Sequence, residues 1–132
     1  MKKYLTYLAS PYSPRETSIP AEQVSIKEAR FNFAAEATVA LFAQKPKWNV
    51  FSPIVHSHVL HLKGMAGDWK TWGRIDKEYI RLSERLVVLC IRGWRESTGV
   101  QAEIKFARRT GVPVFFMDPL SFEISTSIPH GT

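Results

Sequence analysis

The chain has 132 residues, of which 45% are hydrophobic and 23% charged, so it can bury one core of its own and is neither a disordered polar chain nor two domains. A single cysteine, Cys90, rules out an internal disulfide framework, and no apolar run approaches the roughly 18 residues that a membrane-spanning helix needs. The formal charge of +6, with a pI near 9.7, favours an anionic partner, either a phosphorylated small molecule or a nucleic acid.

The opening Met1-Lys2-Lys3-Tyr4-Leu5 briefly mimics a secretion signal. Its apolar stretch ends at Ser10-Pro11 after about five residues, short of the ~7–15 such a signal needs, and a cytoplasmic protein with no membrane partner is expected. Residues 4–9 predict a buried first strand running into a loop at Ser10-Pro11-Tyr12-Ser13-Pro14. Residues 24–44 are rich in alanine and free of Gly and Pro. Ala29, Phe33, Ala37, Ala40 and Leu41 recur there at helical spacing, which predicts a long amphipathic helix ended by Lys45-Pro46-Lys47. Residues 48–51 form a second strand, stopped by Ser52-Pro53. Residues 56–73 hold three histidines, three glycines and two tryptophans and read as a long loop with short helical pieces. Helical periodicity returns over residues 74–85, and residues 86–91 are six apolar residues in a row, the mark of a strand covered on both faces. A loop at 93–99, a helix at 100–109 and a buried strand at 112–117 follow. Residues 118–132 are weakly periodic and read as a tail that covers a sheet edge or reaches a neighbouring subunit.

Strands without alternation, joined by crossover helices, predict an α/β fold: one domain, a mainly parallel sheet, helices on both faces. In such sheets ligands bind beyond the carboxyl ends of the strands, where the strand order reverses. The loops at 10–15, 52–58 and 92–99 are the places to look.

The sharpest signal is charge that breaks a helical pattern. In the helix over 100–109, Gln101, Lys105, Arg108 and Arg109 share one face, while Val100, Ile104, Phe106 and Ala107 occupy the other. Glu103 falls among the apolar group, three residues after Val100 and four before Ala107. One helix earlier, Lys77, Glu78, Arg81 and Glu84 form a polar face against Ile75, Tyr79, Ile80 and Leu82, and Asp76 lies on the apolar side. An inward carboxylate costs several kcal/mol unless it is paired, hydrogen-bonded or protonated. Each could instead cap a loop, pair with an arginine or stay wet at a helix edge; two at one expected ligand rim favour a catalytic pair.

Ser97-Thr98-Gly99 opens the last long helix, where a hydroxyl cap and free backbone N–H groups suit an anion as well as a plain cap. Trp94 and Arg95 add an aromatic plane and a guanidinium for stacking and phosphate binding. Ser10, Tyr12, Ser52 and His56 stand in the other two loops as candidate substrate contacts, and Tyr7 near the end of the first strand is either a sugar contact or core. His56, His58 and His61 lack the helix and the acidic or cysteine companion of a zinc site, so no metal is expected and a hydrogen-bonding role at the pocket wall, or an ordinary surface position, is the better reading. No contiguous basic strip interleaved with aromatics supports a nucleic-acid partner.

Several segments together resemble the nucleoside 2-deoxyribosyltransferase-like superfamily, in particular a short bacterial and phage branch of it. They are Tyr7-Leu8-Ala9-Ser10-Pro11-Tyr12-Ser13, Phe51-Ser52-Pro53-Ile54, Asp76 with Leu82-Ser83, and Gly93 through Glu103. The resemblance covers about residues 4–117, which would be the core of a single 1–132 domain with a tail at 118–132. It implies a three-layer α/β/α sandwich of flavodoxin- or Rossmann-like form, no cofactor, and a homodimer or homotetramer. It also implies that Glu103 is the nucleophile at the anomeric carbon, that Asp76 assists proton transfer and that Tyr7 orients the glutamate. Ser97 matches a serine that binds the 5′-phosphate in nucleoside-monophosphate N-glycosidases, where transferases acting on free nucleosides carry an acidic residue. The first loop departs from those hydrolases, carrying Pro11-Tyr12 in place of Ser and Arg, so Arg15, Arg92 or Arg95 has to supply the positive charge.

The chemistry of the residues agrees with that implication: one carboxylate below a sugar ring traps an oxocarbenium-like centre while a second acid protonates the departing base. The expected function is therefore hydrolysis of the base–sugar bond of a (deoxy)nucleoside 5′-monophosphate. A nucleoside 2-deoxyribosyltransferase and a non-catalytic nucleotide-binding module are the alternatives.

Overall fold

A computed structural model of the chain describes residues 4–65 and 69–132. The elements run β1 (Leu5–Ala9), α1 (Pro20–Gln44), β2 (Asn49–Phe51), α2 (Pro53–Leu62), α3 (Trp69–Leu82), β3 (Arg85–Leu89), α4 (Thr98–Arg109), β4 (Val114–Met117) and β5 (Ile124–Ser125). They form one sheet in the order β2-β1-β3-β4-β5, parallel throughout except for β5.

Alternation along the strands feeds two cores. Tyr7, Leu86 and Val88 point to the side covered by α3 and α4, where they meet Ile80, Val100, Ile104 and Ala107. Leu8, Val87 and Leu89 point to the other side and meet Ala37 and Leu41 of α1. Leu86 through Leu89 have no exposed surface at all, which is why the sequence there is apolar without interruption. The result is a single-domain three-layer α/β/α sandwich with a mostly parallel, Rossmann-like sheet. Strand order reverses at β1, which lies between β2 and β3. The crevice past the ends of β1 and β3 is thus the place where such a sheet holds a ligand.

Three local expectations are corrected. The described part of the segment at 56–73 is largely helical, since Pro53, at the first turn, starts α2 and α3 begins at Trp69; residues 66–68 of that expectation lie outside the described residues. Histidines and glycines obscured a helix whose own buried residues are Pro53 and His58. In α1 the helix starts four residues before the expected point, again at a proline, and its buried residues are Arg30, Ala34, Ala37 and Leu41, not Ala29. In α3 Tyr79 and Leu82 are 37% and 60% exposed, and the buried stripe is Gly73, Asp76 and Ile80. Tyr79 instead stacks flat on Phe51 of β2, ring centroids 4.0 Å apart. The tail covers an edge, since β5 pairs with β4 (Phe116 opposite Ser125, Met117 opposite Ile124) and brings Phe122 and Ile124 onto the α1-side core. Among the described residues no helix is long and apolar enough to cross a membrane.

Candidate active site

Tyr7 is the third residue of β1 and turns toward α3 and α4 without exposed surface. Above it α4 brings Glu103 and α3 brings Asp76, 5% and 7% exposed. The Tyr7 hydroxyl donates to Oε2 of Glu103, and Asp76 lies close enough to act electrostatically on both groups. Both carboxyls are thus inward, as the helical period requires, and they meet at one phenol. Burial pushes the Asp76 carboxyl up to about 7, opposed only by the neighbouring Tyr7 hydroxyl. Burial and then the neighbouring Asp76 charge push Glu103 up to about 8. The Tyr7 phenol is raised as well, by burial and by the two acids, so it remains a neutral donor.

The pair forms part of the wall of a cavity of about 260 Å³, near the lower size bound of small-molecule sites. The β1–α1 loop contributes Ser10, Tyr12 and Arg15, and the start of α4 contributes Ser97, Thr98 and Gly99. Ile54, Ser57 and His61 supply one face of α2, and Trp72 stands one turn before Asp76 on α3. Ser97 caps α4: its Oγ accepts from the Val100 N–H at 3.2 Å, which leaves its own O–H to donate. Arg15 is pinned across the same helix start, Nη1 donating to the Glu96 carbonyl at 2.9 Å and to Thr98 Oγ1 at 3.3 Å. Among the described residues two polar atoms of the lining are buried with no partner, Ser10 Oγ and His61 Nδ1. Orphaned polar atoms in a cavity wall are what a ligand would satisfy.

A second cleft of about 280 Å³ adjoins the first through Ser13, Arg15 and Ser97 and adds Arg30 and Arg92 with Glu16 and Glu96. Arg30 is 7% exposed because it ties two loops together, donating to the Tyr12 carbonyl and to the Arg92 carbonyl, each at 3.2 Å. Gly93 is pressed against it: φ is +97°, and an added Cβ would stand 2.3 Å from Arg30 Nη2. Gly93→Ala therefore combines backbone strain with a clash, and we expect a loss of about 2–3 kcal/mol in chemical denaturation. A variant as stable as the parent would show that this contact does not hold the loop.

Of the residues expected from sequence, Glu103, Asp76, Ser97, Gly99, Ser10 and Tyr12 line the cavity, and Tyr7 holds the carboxyl pair from within the core. Four do not reach the cavity. Trp94 is 5% exposed and packs into the core against Phe116. Arg95 lies over the outer face of the Trp94 ring and donates to the Thr132 carbonyl at 2.9 Å. Ser52 is spent as the cap of α2, accepting from the Val55 N–H. His56 is exposed beside Phe51. His61, expected at the pocket wall together with His56 and His58, does line the cavity; the residues missed are Ile54, Ser57 and Trp72. Spacings of three, four and four, the last from Trp72 to Asp76, would have placed them on inward helix faces had their segment been read as helix. The three histidines diverge: His58 is buried, His61 lines the cavity and His56 faces out.

With this geometry in place, the family profile described as "Domain of unknown function (DUF1937)" matches residues 4–119. The chain belongs to this family. The matched span includes every element that borders the cavity, from β1 through the start of α4. Comparison with curated proteins gave no match.

Proposed function

We propose that this protein is an N-glycosidase that hydrolyses the base–sugar bond of a (deoxy)nucleoside 5′-monophosphate, as the resemblance to the nucleoside 2-deoxyribosyltransferase-like superfamily implies. The observation that carries the proposal is the convergence of Glu103 and Asp76 on the Tyr7 hydroxyl at the wall of a ligand-sized cavity.

One proton shared by the pair satisfies all three groups. In the reacting form that proton sits on Asp76, facing Tyr7 Oη, while Tyr7 donates to Glu103 and Glu103 is the anion. Burial of two acids side by side keeps that proton bound near neutrality. Glu103 attacks C1′ as the C–N bond breaks, the bonding electrons pass to the base nitrogen, and the base takes the Asp76 proton. Water then attacks C1′ of the glycosyl–Glu103 ester. Asp76, now a carboxylate, accepts a proton from that water, which restores the starting pair and releases the sugar 5-phosphate. The start of α4, the Ser97 hydroxyl and Arg15 offer the phosphate its donors. Base release from a panel of ribo- and deoxyribonucleoside 5′-monophosphates tests the reading, with free base expected from at least one member and from none in a boiled control. A panel that yields no base removes the proposal.

The phosphate subsite makes its own prediction. Ser97→Ala removes the α4 cap, costing about 1 kcal/mol in stability. It should also raise KM for the nucleotide by roughly tenfold while leaving KM for the free nucleoside nearly unchanged. Equal effects on both substrates would mean that Ser97 acts only as a cap.

A further inference from the structure

Tyr12 is held more firmly than a pocket wall requires. Its carbonyl accepts from Arg30 at 3.2 Å, the Lys27 ammonium lies 5.4 Å from its ring centroid, and its hydroxyl is 2.7 Å from Nδ1 of His58. His58 is 3% exposed, its imidazole is stacked on Phe31 at 4.3 Å, and its other nitrogen, Nε2, is 2.9 Å from Oε2 of Glu28. Lys27, Glu28 and Arg30 are neighbours on α1, so one turn of helix grips the ring, the backbone and, through His58, the hydroxyl of a single residue.

The order of this chain has a direction. A carboxylate only accepts, so the nitrogen facing Glu28 must carry a hydrogen. In an uncharged imidazole the other nitrogen is then an acceptor, and the proton of Tyr12 must point at it. The phenol spends its one hydrogen on His58, and only oxygen lone pairs remain for a ligand in the cavity that Tyr12 lines. We propose that Glu28 and His58 are positioning residues that fix Tyr12 as a hydrogen-bond acceptor, so that the site selects a substrate presenting an N–H or O–H donor to Tyr12. The donor is an exocyclic amino group of the base or a hydroxyl of the sugar. The inference rests on the nucleotide reading for its ligand class but not on turnover.

The test has two parts. Nitrogen NMR of the wild-type protein is expected to show hydrogen on His58 Nε2 and none on Nδ1; hydrogen on Nδ1 overturns the proposal. Calorimetric binding is then measured in a Glu103→Gln background, which prevents turnover, with matched 5′-monophosphates. The pairs are adenine against unsubstituted purine, ribose against 2′-deoxyribose, and 2′-deoxyribose against 2′,3′-dideoxyribose. One pair is expected to differ by roughly tenfold or more in favour of the donor-bearing member, and Tyr12→Phe to erase that difference alone. Glu28→Gln, whose amide can donate to Nε2 and reverse the chain, is expected to shrink it. Ratios untouched by Tyr12→Phe overturn the inference while leaving the glycosidase reading intact. Binding without base release by the unmutated protein overturns the glycosidase reading while leaving this inference intact. No binding by any nucleotide overturns both.

Discussion

Glu103→Gln is expected to lower base release by at least ~10³-fold with the protein still folded, because the amide cannot form the bond to C1′ but still accepts the hydrogen bond from Tyr7. Asp76→Asn should also be severe, yet different in kind. A residue that only protonates the leaving group matters less as the base leaves more easily without a proton. The Asp76→Asn deficit should therefore shrink by an order of magnitude or more on nucleotides with activated bases, where the Glu103→Gln deficit persists. Steady-state kinetics of both variants on a series of bases of graded basicity checks this. Parallel deficits across the series would mean that the two acids do not have separate roles.

The same pair should leave a mark on stability, with a sign opposite to that of ordinary surface acids. Below about pH 3 both carboxyls are protonated in the folded and the unfolded chain, and they contribute no pH dependence. As pH rises from there toward about 8, the unfolded chain loses protons that the folded protein keeps, so stability falls across this window and levels off above it. Glu103→Gln removes one of the two groups and its buried charge. It should melt close to the parent at pH 4 and be more stable by about 3 kcal/mol at pH 9, or about 10 °C in melting temperature. A site whose disabling mutation stabilises the protein bears strain retained for chemistry. Thermal melts from pH 4 to 9 that run parallel, or a variant less stable than the parent at pH 9, would show that burial does not make the pair hold a proton.

What the sequence disclosed and what it concealed follow from the same rule. Inward carboxylates stand out because a helix repeats every 3.6 residues, and a charge that breaks the apolar stripe has few innocent explanations. Glu103 and Asp76 were therefore legible without any contact information. The strands were legible because β3 is covered on both faces and so is apolar throughout. The α2 face was hidden. Its polar residues Ser57 and His61 turn toward a cavity rather than a core, so no apolar stripe marks that face, while Val59 and Leu62 are exposed. Trp94 misled for the converse reason. An indole beside two arginines looks like a stacking platform, but β3 carries the chain to a position where the ring fills the gap over Phe116, and Arg95 covers it from outside. Arg30 shows the limit most clearly. A charged residue in the buried stripe of α1 is explained by the Tyr12 and Arg92 carbonyls, 18 and 62 residues away in sequence, and by the Glu16 carboxylate at 3.5 Å.

The covalent step is open to direct observation. A 2′-fluorinated nucleoside 5′-monophosphate slows both the formation and the breakdown of a glycosyl ester, because fluorine disfavours the oxocarbenium-like centre on either side of it. After incubation, intact-protein mass spectrometry should show a gain equal to the fluorinated sugar phosphate, matched by an equal amount of free base. Peptide analysis should place the adduct on Glu103. An adduct on any other residue, or base released by a chain that never becomes labelled, would contradict the assignment of Glu103 as the nucleophile.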